Sequence, residues 1–277
     1  MTRRTLLSSL LGATAASLAY PCYLEPRWMD VVHHPVNFAH LSPQNPVRIL
    51  HLADLHASFP VPMSLIDSAV TAGLRQNPDV ICLTGDFISY RNDFDPRAYI
   101  RVLSRLPRAA PTFAVVGNHD GGSWAKDNKG NPDHILVDRI LEESGIELLH
   151  NRSRRLAFRN QEIQFVGVGD LWNRELHAGP AFAAIDQRLP TVLLSHNPDS
   201  KKAVEDHPWN LMLSGHTHGG QVILPFCGPV FAPVEDKRYV AGLKPWRDRL
   251  IHVTRGVGSW GGIRFRCRPE ISVLSLG

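Results

Sequence analysis

Val47–His56 reads VRILHLADLH, an apolar run that stops abruptly at an aspartate and a histidine two residues apart. Val47–Ala53 has the brevity and the branched side chains of a buried strand, whereas Asp54-Leu55-His56 is polar where a core would continue. Four more stretches repeat the pattern. Asp79–Thr84 runs into Gly85-Asp86, and Pro111–Val116 into Gly117-Asn118-His119-Asp120. Thr191–Ser195 runs into His196-Asn197, and Leu211–Ser214 into Gly215-His216-Thr217-His218. Taken singly, a Gly-Asp pair or a strand-end histidine is an ordinary turn. Five in order are different, because side chains at the carboxyl ends of neighbouring strands converge on one crevice in an open α/β sheet.

Helical patterns lie between these strands. Met63–Gln76 repeats apolar residues at Leu65, Ile66, Ala69, Val70 and Leu74, the spacing of one helix face. Asp95-Pro96 places a capping residue before a proline suited to a first helical position. A third helix opens near Asp133 and stops before Gly145. This alternation implies βαβ crossovers and a largely parallel sheet. The second half is richer in strands, expected additionally at Ile146–Leu149, Arg155–Phe158, Glu162–Val168, Gln221–Leu224, Leu250–Thr254, Ile263–Cys267 and Ile271–Leu274. Only Pro180–Asp186 and Asp199–Asp206 read as helical there. The fold class is α/β, two stacked sheets with helices outside, in one domain over residues 47–277.

Composition agrees with an ordinary globular chain and excludes other classes. Of 277 residues, 43% are hydrophobic and 20% charged, unlike a disordered tail, a collagen or a polytopic membrane protein. Lys and Arg exceed Asp and Glu by 30 to 26, a mild excess that favours an anionic substrate. The cysteines (Cys22, Cys82, Cys227 and Cys267) have no CxxC spacing, so neither a disulfide scaffold nor a thiolate zinc site is indicated. Arg3 and Arg4 precede an uncharged stretch, Thr5–Leu24, so residues 1–24 read as an export signal or membrane anchor similar to a twin-arginine signal.

The strand-end residues have the chemistry of a metal centre. Imidazole nitrogens with carboxylate and amide oxygens suit Mn, Fe, Co, Ni or Zn, whereas Mg or Ca would favour oxygen alone. Asp54, His56, Asp86, Asn118, His196, His216 and His218 are too many ligands for one ion. They suit two ions sharing one carboxylate. Two divalent ions hold both the attacking and leaving oxygens of an in-line displacement at phosphorus, and lower the pKa of bound water.

Asp-x-His, Gly-Asp, Gly-Asn-His-Asp, a lone His and Gly-His-x-His, in this order from Asp54 to His218, resemble the calcineurin-like metallophosphoesterase superfamily. The resemblance implies a four-layer αββα sandwich. It implies that Asp54, His56 and His218 hold one ion, that Asn118, His196 and His216 hold the other, and that Asp86 bridges. His119 would act on the transition state or the leaving oxygen, with Asp120 orienting it. Gly169-Asp170-Leu171-Trp172, His196-Asn197-Pro198-Asp199, Pro233–Gly242 and Thr254–Gly258 resemble more closely the bacterial YaeI-type and YkuE-type phosphodiesterases. These are similar in turn to UDP-2,3-diacylglucosamine pyrophosphatases.

The implied activity is phosphodiester or pyrophosphate hydrolysis with two divalent ions, Mn2+ first, on a small anionic or lipid-linked substrate. The same centre would also suit a phosphomonoesterase, a protein phosphatase or a nuclease, and a non-catalytic metal-binding scaffold is the alternative of another class. No extended basic-aromatic surface points to nucleic acid, and no protein partner is indicated. Arg255 is a candidate phosphate contact. Lys244–Arg268 carries seven basic residues, and Arg264, Arg266 and Arg268 would share one strand face that, with Trp246 and Trp260, would meet a membrane surface. The N-terminal stretch makes the expected location exported, or anchored to a bacterial inner membrane, with attachment on the cytoplasmic face the alternative.

Overall fold

Strands that are apolar on both faces need cover on both sides, and two six-stranded sheets packed face to face supply it. A computed structural model of the chain describes residues 19–37, 41–89, 94–159 and 161–277. The twin-arginine stretch lies outside the described residues. The strands are β1 (Asp30–Val36), β2 (Val47–Leu52), β3 (Val80–Thr84), β4 (Thr112–Val115), β5 (Glu147–Leu148), β6 (Arg152–Phe158) and β7 (Gln161–Gly167). They continue as β8 (Thr191–Leu194), β9 (Leu211–Ser214), β10 (Ile223–Leu224), β11 (Gly228–Pro229), β12 (Gly242–Trp246), β13 (Arg249–Val253) and β14 (Glu270–Leu276). The first sheet has the order β1-β14-β2-β3-β4-β5 and the second β12-β13-β9-β8-β7-β6, while β10 and β11 form a separate hairpin. β2 to β5 are parallel, as are β7, β8, β9 and β13.

The two-residue period of each strand sorts side chains into separate cores. Ile49, Val80, Cys82, Phe113 and Val115 point inward and meet Phe165, Val192, Leu194, Leu211 and Leu213 of the other sheet. Their neighbours Leu50, Leu52, Ile81, Leu83 and Ala114 face outward beneath three helices, Met63–Leu74, Pro96–Leu103 and Ile135–Ser144. On the far side Val166, Leu193, Met212 and Ile251 pack under Phe182, Val204, Trp209 and Tyr239. The result is two sheets flanked by helices. The expected caps are present: Asp95 accepts from the Arg97 N–H, and Gly145 ends its helix at φ 78°. All four cysteines are free.

Three expectations are corrected. Ile263–Cys267 is not a strand; Phe265 makes only an isolated bridge to Val222, because the chain there wraps around a buried arginine. Arg264 is fully buried, Arg268 pairs with Asp30, and only Arg266 of the three is exposed. The common basic face therefore does not form. Two edge strands, β1 and β12, escaped the sequence reading because each carries a proline and alternating polar residues rather than an apolar run.

Candidate metal centre

Five strand ends converge at one rim of the sandwich. β2, β3 and β4 deliver Asp54 and His56, Asp86, and Asn118; β8 and β9 of the opposite sheet deliver His196, and His216 with His218. The first two loops are laced together, with the Asp54 N–H donating to the Gly85 carbonyl and the His56 N–H to the Asp86 carbonyl, each at 2.9 Å. Asp54, His56, Asp86, His216 and His218 all sit at positive φ, between 46° and 72°. Non-glycine residues there cost about 1–3 kcal/mol each, a strain retained where surrounding structure enforces it and concentrated at functional sites. Gly117 has a different need. A Cβ on it would lie 2.9 Å from the His196 ring and crowd the Asp86 carboxylate.

The ligand atoms form two groups around Asp86. Its Oδ2 lies 3.4 Å from His56 Nε2 on one side and 3.3 Å from His196 Nε2 on the other. In the first group His56 Nε2 faces His218 Nε2 at 3.1 Å, and His218 Nε2 is 3.8 Å from Asp54 Oδ1. In the second, His196 Nε2 lies 3.0 Å from Asn118 Oδ1 and 3.2 Å from His216 Nδ1. The outer nitrogens of His56 and His196 are committed elsewhere. His56 Nδ1 meets Ser89 Oγ, and His196 Nδ1 donates to the Thr84 carbonyl, both at 2.8 Å. Such outer partners set the tautomer and aim the free nitrogen into the cage.

Electrostatics show what the cage lacks. Burial holds His56 down to about 3 and drives His216 and His218 well below the usual imidazole range, so these rings are neutral and ligand-ready. Burial pushes the Asp54 carboxyl up to about 7, and nearby Asp86 adds to the rise. Burial opposes charge on His196, yet Asp86 and Asp54 raise it to about 10. Neutral imidazoles, two carboxylates and an amide oxygen are a donor set for borderline divalent ions, and the residues fit two such ions with Asp86 between them.

His119 stands outside the ligand cage, half-buried beside it. Its ring centroid is 5.0 Å from that of His56, and its backbone N–H donates to Asp86 Oδ1 at 2.9 Å. Asp120 departs from the implied role. Its carboxylate accepts the backbone N–H groups of Asp86 (2.9 Å), Phe87 (2.6 Å), Ile88 (3.2 Å) and Gly117 (2.8 Å), so it clamps the Asp86 loop rather than orienting His119. Arg255 is also corrected. It pairs with Glu270 at 2.6 Å and Asp30 at 3.3 Å, and it does not line the cleft.

Reading the sequence missed the aromatic wall. Trp172 meets the His216 ring edge-on at 4.3 Å, Trp124 packs against Trp172 at 5.3 Å, and Trp124 flanks His119 at 5.0 Å. Trp172 lies in a stretch that carried the resemblance, but nothing in its neighbours indicated a role. Arg264 was read as a surface charge. Its guanidinium instead donates to the carbonyls of Arg255, Gly256, Gly258 and Cys267, tying together the loops behind Asp54. A cleft of about 590 Å³ opens from Asp86, Asn118, His119, His216 and His218 and continues along Trp124, Trp172, Val222, Val230, Phe231 and Trp260.

A two-sheet sandwich with this cage at its rim defines a metal-dependent phosphoester hydrolase. Residues 47–220 match the model of the calcineurin-like phosphoesterase family. The chain is 44% identical over 264 residues to phosphodiesterase YaeI of Escherichia coli (strain K12), covering 95% of this chain and 94% of that one. It is 29% identical over 288 residues to the uncharacterized metallophosphoesterase YkuE of Bacillus subtilis (strain 168), covering 100% and 98%. It is 28% identical over 322 residues to UDP-2,3-diacylglucosamine pyrophosphatase LpxG of Chlamydia trachomatis serovar D, covering 97% and 95%. The chain belongs to the calcineurin-like phosphoesterase family.

Proposed function

We propose that this enzyme hydrolyses a phosphodiester or pyrophosphate bond in an amphiphilic substrate, lipid-linked or a lipid-bearing nucleotide sugar such as UDP-2,3-diacylglucosamine, at a membrane surface. One observation carries the reading: the cleft that begins at the polar cage ends in an apolar mouth. Trp260 and the hairpin residues Val230 and Phe231 line it and are more than half exposed, at 62%, 62% and 71%. No charged residue occurs from Gln221 to Val234. A phosphate at the cage and acyl chains along the mouth match this polarity, and the relative LpxG is named for a diacylated substrate.

Divalent cations, Mn2+ first among them, would be held by the seven ligands and supply Lewis acidity and a readily ionised water. The protein does the rest. Asp86 and the surrounding ligands would hold those cations where the cleft begins, Trp124 and Trp172 restrict water beside it, and a His119 ring nitrogen supplies the proton to the departing oxygen.

The same mouth supports the membrane reading. Leu224 and Phe226 at the hairpin tip are exposed, Phe226 fully. The hairpin is tied to Phe265 by the Ile223 N–H and the Gln221 carbonyl. Tyr20 packs on Phe265 and the Pro21 carbonyl accepts the Arg264 N–H, so the uncharged N-terminal stretch reaches the fold beside the apolar mouth. Export, or anchoring to a bacterial inner membrane, would follow from that stretch.

The test is a turnover panel with Mn2+-loaded protein. UDP-2,3-diacylglucosamine should be cleaved at least tenfold faster, by kcat/KM, than glycerophosphodiesters and cyclic nucleotides. Equal or better cleavage of the acyl-free substrates would remove the amphiphile from the proposal.

A further inference from the structure

We infer that the protein has an additional divalent transition-metal site, formed by His34, His252 and Glu270 and separate from the catalytic cage. His34 lies on β1, Glu270 on the adjacent β14, and His252 on β13 of the opposite sheet, so three strands bring them to one point between the layers. His34 Nε2 and His252 Nε2 each lie 3.8 Å from the same oxygen, Glu270 Oε1. All three ligand atoms fall within 4.8 Å of one another.

Two features separate this cluster from an ordinary buried hydrogen-bond network. Both imidazole Nε2 atoms are buried without a hydrogen-bond partner, and His252 is wholly inaccessible. The other polar atoms of Glu270 and His252 are engaged in the sense that would point this cluster at a cation. Glu270 Oε2 accepts from Arg255 Nε at 2.6 Å and Oε1 accepts from Ser272 Oγ at 2.7 Å, which fixes Oε1 toward the two rings. His252 Nδ1 lies 3.0 Å from His51 Nδ1, and His51 Nε2 lies 2.8 Å from Thr84 Oγ1. A proton on His252 Nδ1 donated to His51, and one on His51 Nε2 donated to Thr84, leaves a bare lone pair on His252 Nε2. Burial holds His252 down to about 3, so the ring is neutral and available.

Two imidazoles and one carboxylate suit Zn2+ with water as a fourth ligand. The site has a link to the catalytic centre. Thr84 takes His51 on its hydroxyl and His196 on its carbonyl. The chain of contacts therefore runs from Glu270 through His252, His51 and Thr84 to a ligand of the cage.

Equilibrium dialysis of the full chain against Zn2+, read by elemental analysis, tests the assignment. The native protein should bind three equivalents, and His34→Gln and His252→Gln one fewer each while keeping their thermal transition. His51→Ala should weaken the additional equivalent about 10–100-fold, as loss of an orienting partner does. Asp86→Ala should lose cage equivalents but retain the one that His34→Gln removes. Two equivalents in the native protein, unchanged in His34→Gln, would overturn the inference and assign the gap to water. His34 is half-buried, so its variant carries the test even if His252→Gln does not fold. Failure of the cage would lower the native count and that of His34→Gln alike, leaving the one-equivalent difference between them intact.

Discussion

His119 and the cage residues divide the work at the scale of single side chains. The ligands are enclosed by β-loops and fixed by outer partners such as Ser89 and the Thr84 carbonyl, whereas His119 borders the cleft and holds no position in either ligand group. Replacing His119 by Ala should therefore lower turnover about 10²–10⁴-fold, the range for losing a general acid, with bound metal unchanged. Parallel loss of metal, measured on the same preparation, would contradict that division. The seven cage positions were legible in the sequence because each follows an apolar strand and, in three cases, a glycine. Asp120 was legible as a position but not as a role. Three of the four amides it accepts belong to Asp86, Phe87 and Ile88, more than 30 residues away in the chain, and local spacing carries no information about such partners.

Among elements, the β10–β11 hairpin is the one whose composition conflicts with an aqueous surface. Leu224 and Phe226 are exposed at its tip without lining the cleft, which makes them a clean probe. Leu224→Ser with Phe226→Ser should reduce co-sedimentation with phosphatidylglycerol-containing vesicles at least fivefold, while hydrolysis of a short soluble diester is unaffected. Undiminished vesicle binding would remove the hairpin from the membrane reading. The central parallel strands were read within a residue or two, since burial on both faces produces continuous apolar runs. The edge strands β1 and β12 and the Trp260–Cys267 segment were not. An edge strand needs only half its residues apolar, and Arg264 satisfies carbonyls in the interior where alternation suggested a surface strand.

At the scale of the whole molecule, buried titratable groups tie stability to pH and to metal. His51, His56, His216, His218 and His252 are all held below the ordinary imidazole value by burial. Each takes up a proton on unfolding once pH falls below about 6.5. Asp54, Asp120 and Asp170, raised by burial to about 7, about 8 and about 6, work in the opposite direction by releasing protons on unfolding above about pH 4. The depressed imidazoles outnumber the raised carboxylates, so the unfolded state gains as pH drops. The metal-stripped chain should show a Tm that falls steadily from pH 6.5 to pH 4. A Tm that is flat or rises over that interval would mean these imidazoles are not held neutral in the native state.

The central claim is that seven residues from five strand ends hold two cations with Asp86 between them. Anomalous scattering from crystals of the Mn2+-loaded protein tests it most directly. The account predicts two strong peaks about 3.5–4 Å apart, one bordered by Asp54, His56 and His218, the other by Asn118, His196 and His216. A single peak at saturating Mn2+, or two that do not share Asp86, would contradict it.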